Sequence, residues 1–405
     1  MLKREKRNDD VDGPIKKSKL TRNDDDGATV SQTRPSQPRN NNKIPAPRNP
    51  QQPNKSTREF VFGGKWNNRY RIYLNGDLGQ GSYGEVIEAY DTGRKTDVAI
   101  KICNDNKCLD GMKREKDIMK LLGMNAHKNF IVKYMTHFTK TSKTFCIVYE
   151  SLEISMADHL TKPVYRSICL NNIRRIGLQI AKGLAFLADQ RFSIVHADLK
   201  PENIMYTSMK FDEIRLIDFG LSFKSGTSPT HAIQTCNYRA PEVFFGVEPY
   251  THKIDYWSLG ATMMRMFTGQ AMLLRMKKHR NETLVNMMVG LLGMPPTEFL
   301  DKRTKHMEFF TKISPDSDAY QLNVAVQGVV LSKSQPLSFY LNPTKTNCCD
   351  GDKHIEEEYK QFGALIRKLL AYDPSDRIDI QGILDDPFFN TQQAPSTSTS
   401  EPRYR

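Results

Sequence analysis

No stretch of this 405-residue chain approaches the run of about 20 apolar residues that a membrane span requires. The charged start holds no apolar core of the kind a secretory leader carries, so neither a membrane anchor nor export is expected. No two cysteines stand at C-x-x-C spacing, and their number, seven, is odd. That argues for reduced thiols in the cytosol or nucleus and against a disulfide framework. Cys348 and Cys349 with His354 lack the four-ligand spacing of a zinc site. Aromatic residues are missing from the first 58 positions. Direct binding of nucleic acid by that segment is therefore not expected, because it has no rings to stack on bases.

What the first 60 residues do hold is charge. Lys3-Arg4-Glu5-Lys6-Arg7 and Lys16-Lys17-Ser18-Lys19 precede Asp24-Asp25-Asp26 and a run rich in Asn, Gln, Pro and Arg. Residues 1–58 carry 14 Lys and Arg against 7 Asp and Glu, so about half of the chain's net +13 sits there. With so few apolar residues to offset chain ordering, the segment reads as a disordered basic tail. Two basic clusters roughly ten residues apart fit the pattern a nuclear import receptor reads, and fit equally a tail that only keeps the chain in solution. The expected location is nucleus, cytoplasm or both. Residues 390–405 read as a second flexible tail.

The rest is organised around Ile194-Val195-His196-Ala197-Asp198-Leu199-Lys200-Pro201-Glu202-Asn203-Ile204-Met205. Apolar flanks predict two short buried strands holding a polar loop. An acid, a lysine and an amide at this spacing suit phosphoryl transfer. Asp198 would accept a hydroxyl proton, Lys200 would steady the moving group, and the Asn203 amide oxygen would bind Mg²⁺.

Leu78-Gly79-Gln80-Gly81-Ser82-Tyr83-Gly84-Glu85-Val86 has G-x-G-x-x-G spacing, which lets backbone approach phosphates. A dinucleotide fold would continue into a helix. Here the β-prone Val86-Ile87-Glu88-Ala89-Tyr90 follows instead, so the glycines read as a hairpin flap over a nucleotide. Val98-Ala99-Ile100-Lys101 then places a lysine on the next strand, facing the phosphates. Its expected partner is Glu115 on a helix whose Ile118, Leu121 and Leu122 share one face. Asp117 competes but projects roughly 200° away. Thr144 to Glu150 reads as a strand running into a hinge at Glu150-Ser151-Leu152. Hinge backbone would meet the adenine edge, and Tyr149 would narrow the pocket behind it.

Ile173, Ile176, Ile180, Leu184 and Leu187 recur every three or four residues and predict a long helix. Asp218-Phe219-Gly220 follows the apolar Ile214-Arg215-Leu216-Ile217, with Asp218 expected on Mg²⁺ and Phe219 inward. Glu242 is expected to pair with Arg377 in the interior, and Asp255 to cap the Asp198 loop from a central helix.

With these residues in order, the chain resembles a eukaryotic protein kinase over roughly residues 66–390. Within that family it resembles the dual-specificity tyrosine-regulated kinases (DYRK), particularly the minibrain-like branch. The likeness lies in Lys65-Trp66, Arg69-Tyr70, Glu88-Ala89-Tyr90-Asp91, Phe186-Leu187-Ala188, Ser193-Ile194-Val195-His196 and Leu292-Gly293-Met294-Pro295-Pro296. The segment from His196 to Met205 is also similar to homeodomain-interacting kinases. The resemblance implies an α+β bilobal fold, with a β-rich N-lobe over 72–152 and a mainly helical C-lobe over 153–389. It implies ATP with Mg²⁺ as cofactors and Ser/Thr hydroxyls of protein substrates as acceptors.

The departures concern the activation loop. Ala197 stands where many kinases carry the arginine that holds a loop phosphate. Thr230-His231-Ala232 stands where the DYRK family has Tyr-x-Tyr, no tyrosine lies between Phe219 and Tyr238, and Cys236 replaces the arginine expected to meet phosphotyrosine. The sequence therefore predicts a loop held by packing. Either competence without phosphorylation or activation by a partner would follow. Tyrosine autophosphorylation loses its family site, and the shaping of a pocket for proline is put in doubt. A nucleotide-binding scaffold without catalysis is the alternative reading. Against it, the lysine, the base and the metal-binding aspartate are all in place.

Overall fold

The computed structural model describes residues 59–390 apart from 61–64, 82–83, 124, 142–143, 162–166, 272, 274–279, 324–335 and 342–355. Residues 1–58 and 391–405 of the two tails, with Ser82, Tyr83, Cys348, Cys349 and His354, which carried expectations above, lie outside the described residues.

Strands β1 (Tyr70–Gly81), β2 (Gly84–Asp91), β3 (Thr96–Cys103), β4 (Tyr134–Thr141) and β5 (Thr144–Glu150) form one antiparallel sheet in the order β1-β2-β3-β5-β4. Alternation along the strands sorts the side chains. Ile87, Ala89, Val98, Ile100, Ile102, Cys146 and Val148 share a small core with Tyr70 and Phe138. Lys101, Ile147 and Tyr149 alternate with these residues along β3 and β5. Ile147 and Tyr149 belong to a second core together with Met112, Ile118, Met119 and Leu122 of helix α1 (Asn106–Leu122). The strand that carries Lys101 is thus covered on both faces.

Phe60 bridges to Tyr73 and stacks on its ring at 4.8 Å, and the Arg71 guanidinium lies 3.8 Å from the Phe60 centroid. Arg69 and Asp91, two residues of the DYRK-like segments, meet each other. The fully buried Asp91 carboxylate accepts from Arg69 Nε at 2.5 Å and Nη2 at 2.6 Å, and from the Gly93 and Arg94 N–H groups at 2.9 and 3.1 Å. Burial alone would raise its pKa, but these donors outweigh that and hold it down to about 2. A depressed carboxylate contributes stability that is complete above its ordinary value and is lost as pH falls through the folded value. Between about pH 4 and pH 2, Asp91 is expected to withdraw on the order of 2 kcal/mol. Asp91→Asn should therefore be less stable than wild type at neutral pH and converge with it near about pH 2 in urea titrations. A pH-independent gap between the two would contradict this.

The second half is helical. Helices α2 (Met156–Thr161), α3 (Leu170–Ala188), α4 (Pro241–Phe245), α5 (Lys253–Thr268) and α6 (Arg280–Leu292) surround one large core. The predicted helical stripe is α3, with Ile173, Ile176, Ile180, Leu184 and Leu187 all buried. Helix α5 is buried from Ile254 to Met264 without interruption, as befits a central helix. Short ladders frame the loop predicted above. Strands β6 (Ile194–Val195) and β9 (Phe223–Lys224) pair on one side, and β7 (Ile204–Tyr206) and β8 (Ile214–Leu216) on the other.

One expectation fails. Cys103 and Cys108 form a disulfide between the end of β3 and the first turn of α1. The strand-to-helix turn brings their Cα atoms to 6.1 Å, which is within bridging range. A spacing of five residues carries no such message in sequence. Of the other described cysteines, Cys146 and Cys169 are buried and Cys236 is half-buried.

Candidate active site

Strand β3, helix α1 and the Asp218 turn converge on one ammonium. Lys101 Nζ donates to Glu115 Oε2 at 2.7 Å and to Asp218 Oδ1 at 2.9 Å. Burial works against the Lys101 charge, but the two carboxylates outweigh it and raise the pKa above the ordinary lysine range. Burial would raise Asp218 too, yet Lys101 reverses this and holds it below its usual value. Glu115 is the more buried carboxylate, and burial pushes it upward. Asp117, the competing candidate, is exposed and touches Lys116 instead.

The Asp198 loop is fixed from beneath. Asp255 of α5 accepts from the His196 and Ala197 N–H groups at 2.7 and 2.9 Å. Burial pushes Asp255 up to about 6 against the pull of those donors. The His196 ring, fully buried, sits 3.0 Å from Ile217 O through Nε2 and accepts from Asp198 N–H at Nδ1. The tautomer is assigned from those partners, with the proton on Nε2. Ala197 adopts φ 66°, and Asp218 adopts φ 64°. Two non-glycine residues in the left-handed region on facing loops signal backbone held against its preference.

Asp198 is bonded through both oxygens. Oδ1 accepts from Thr235 N at 3.1 Å and Thr235 Oγ1 at 2.7 Å, and Oδ2 from Lys200 Nζ at 2.9 Å and Asn203 Nδ2 at 3.1 Å. Lys200 Nζ also lies 2.9 Å from Thr235 Oγ1. Asn203 Nδ2 donates to the Asp198 carbonyl at 2.8 Å as well. The amide nitrogen is thus committed to Asp198, and the oxygen is what Asn203 offers outward. Phe219 is fully buried against the His196 ring, as expected.

At the hinge the expectation is narrowed. Glu150 N–H is already donated to Lys133 O at 3.1 Å, so only its carbonyl is left for a ligand edge. The Glu150 side chain accepts from Lys133 N at 2.8 Å and lies 3.3 Å from Arg215 Nε. Leu152 is half-buried against the large core.

In the flap, Leu78 and Glu85 stand on the two strands that Gly81 and Gly84 close, and Gln80 pairs with Glu85 and Gly79 with Val86. Gly79 adopts φ 130° with open space where a side chain would begin. Gly84 adopts φ 126°, and a Cβ there would fall 1.9 Å from Ile102 O. The first glycine leaves room for close approach of a ligand, whereas the last is required by the sheet.

This donor set fits a magnesium–nucleotide. Asp218 and Asn203 offer hard oxygens, Lys101 offers a fixed positive charge, and Gly79 an open backbone. Among the described residues no group of three or more His, Cys, Asp or Glu gathers as a protein-only metal cage. That is the usual case for Mg²⁺, which binds through one or two side chains and the substrate's phosphates.

Fold and site together define a phosphotransferase built on two lobes. Residues 73–389 match the protein kinase domain family model, and the chain belongs to that family. Similar proteins include the Arabidopsis thaliana serine/threonine-protein kinases AFC2, AFC3 and AFC1. AFC2 is 28% identical over 82% of this chain and 79% of its own length. AFC3 is 28% identical over 82% and 85%, and AFC1 26% identical over 85% and 75%. The chain is a serine/threonine protein kinase. The likeness is thus supported for the kinase family, and these relatives do not support the DYRK branch.

Sequence reasoning missed Thr235, Gln234 and the Tyr149 hydroxyl. Gln234 is buried with φ 58°, and every polar group it has is used. Its N–H donates to Ala197 O at 2.8 Å, and Nε2 to Ile254 O and Ser258 Oγ at 3.0 and 2.9 Å. Oε1 accepts from Ala240 N at 2.9 Å, and the main-chain carbonyl from Arg239 Nη2 at 2.8 Å.

Proposed function

We propose that this chain transfers the γ-phosphoryl group of ATP to Ser/Thr hydroxyls of proteins with an activation loop that needs no phosphate. Bound ATP supplies the phosphoryl group, and its Mg²⁺ offsets charge on the phosphate oxygens. Asp198 takes the acceptor hydroxyl's proton and orients that hydroxyl through a carboxylate already fixed by Thr235. Lys200 meets charge developing on the transferred group. Lys101, held by Glu115, positions the phosphates, while Asn203 and Asp218 present oxygens to the metal. The flap from Leu78 to Val86 covers the nucleotide, and Tyr149, Glu150 and Leu152 border its base. Because the reaction is mostly positioning and electrostatics, a pre-arranged set of charges is what the protein must provide.

The observation that carries the phosphate-free loop is Gln234. Its side chain ties the loop to α5 and to Ala240, and its main-chain N–H ties it to Ala197, the position where a phosphate-binding arginine is absent. His231, between the positions of the missing tyrosines, reaches Leu221 O through Nε2 at 3.1 Å, and Ser222 Oγ donates to His196 O at 2.8 Å. The AFC relatives are serine/threonine kinases by name, and no tyrosine phosphorylation is carried over from the DYRK likeness.

Phosphatase-treated protein, checked by mass spectrometry, should keep its full transfer rate. Gln234→Ala leaves the Ala240 N–H and the Ile254 carbonyl without this partner in the interior. It should cost about 2 kcal/mol of stability and lower the rate about tenfold or more. Activity that appears only with a stoichiometric phosphate between Ser222 and Thr235 would defeat the reading.

A further inference from the structure

The sheet register aims two side chains at α1 from the same face. Lys101 on β3 lies opposite Ile147 on β5, and Tyr149 stands two residues further along β5, so Lys101 and Tyr149 project to one side. Glu115 enters between them. Its Oε2 accepts from Lys101 Nζ at 2.7 Å, and its Oε1 accepts from the Tyr149 hydroxyl at 2.7 Å. Glu115 is 1% exposed and Tyr149 7%, so water does not compete for either oxygen. Burial and the adjacent Glu115 carboxylate keep the phenol protonated, and hence a donor, well beyond the neutral range.

A carboxylate held through one oxygen by a flexible lysine stem is free to turn. Gripping the second oxygen from a rigid central strand fixes its plane. The neighbouring residue on α1, Arg114, adds a tie to the Asp218 turn by donating Nη1 to Gly220 O at 2.5 Å. In kinases generally, placing this helix and its glutamate is one of the things activation-loop phosphorylation controls. Here the Tyr149–Glu115 bond adds a hold on the helix from inside the N-lobe.

We infer that Tyr149 is a positioning residue for phosphoryl transfer: its hydroxyl orients Glu115, and through Glu115 it sets Lys101 and helix α1 in their working places. The inference rests on the phosphotransferase reading of this site. It gives Tyr149 a role beyond bordering the nucleotide pocket.

Tyr149→Phe removes one oxygen and keeps the ring. With the ATP-binding surface otherwise intact, kcat should fall about tenfold while KM for ATP stays within about twofold. In a double-mutant cycle, Tyr149→Phe should add little to the loss already caused by Glu115→Ala, because both act through one carboxylate. Hydrogen exchange on nucleotide-free protein should show faster exchange in α1 for Tyr149→Phe, with β1 and β2 unchanged. Should Tyr149→Phe not fold, Glu115→Gln and Glu115→Ala read the same contact. Glutamine keeps an oxygen for the phenol, so α1 should exchange more slowly in Glu115→Gln than in Glu115→Ala. A raised KM for ATP at unchanged kcat, additive losses in the cycle, or unchanged exchange in α1 would overturn the inference. Exchange does not depend on turnover, so failure of the wild type to transfer phosphate would defeat the phosphotransferase reading separately.

Discussion

Replacing Asp198 with asparagine is expected to lower kcat by about 10³-fold, the usual scale for removing a general base together with the orientation it provides. The structure explains why no neighbour substitutes for it. Both Asp198 oxygens are engaged by donors only, namely Thr235 N–H and hydroxyl on one side and Lys200 and Asn203 on the other. An amide in that position sets its own N–H groups against donors, and it does not accept a proton at neutral pH. The loss should fall in kcat, with ATP affinity little changed, because Asp198 is not among the groups that hold the nucleotide. A radiometric assay with a basic protein substrate and a separate nucleotide titration check the two halves. Equal transfer by wild type and Asp198→Asn would remove Asp198 from the mechanism.

The second large effect is structural. Arg377→Ala should lower the unfolding free energy by about 3–5 kcal/mol, because it strands a buried charge. Arg377 Nη1 and Nη2 grip the two Glu242 oxygens at 2.6 and 2.9 Å, and both residues are 1% exposed. The guanidinium also donates to the carbonyls of Lys253 at 2.7 Å and Ala371 at 2.8 Å, and lies over Trp257 at 5.4 Å. It therefore joins the start of α4, the start of α5 and the segment before residue 377. Glu242→Gln keeps hydrogen bonds to the guanidinium and should cost less than Arg377→Ala. Urea unfolding followed by Trp fluorescence is a direct readout, since Trp257 lies beneath the pair. A cost below about 1 kcal/mol for Arg377→Ala would mean that the pair is not a structural anchor.

Much of the site was legible in sequence because its chemistry sits on short runs with local signatures. Lys101 follows a β-branched strand, Asp218 follows another, and Glu115 is set by helical spacing against Ile118 and Leu122. The contacts that lock the site were not legible, for a common reason. Thr235 lies 37 residues from Asp198, and Tyr149 lies 34 from Glu115. A threonine in an irregular loop and a tyrosine on an apolar strand carry no periodicity that announces a hydrogen bond. Gln234 was invisible for the same reason, although the missing tyrosines and arginine led to the expectation of a loop held by packing. Gly84 was read only as a phosphate-approach glycine, yet the Ile102 carbonyl would exclude a side chain there with or without a ligand. The Cys103–Cys108 bridge depends on the geometry of one turn, and composition pointed the other way.

The proposed mechanism has Asn203 and Asp218 present oxygens to a metal bound with a nucleotide that Lys101 also holds. Calorimetric titration of ATP into wild type and Asp218→Asn, in magnesium and in a chelator, tests it most directly. Magnesium should tighten ATP binding to wild type by about tenfold or more, and Asp218→Asn should lose that gain. ATP binding that is indifferent to magnesium in wild type, or absent altogether, would contradict the account.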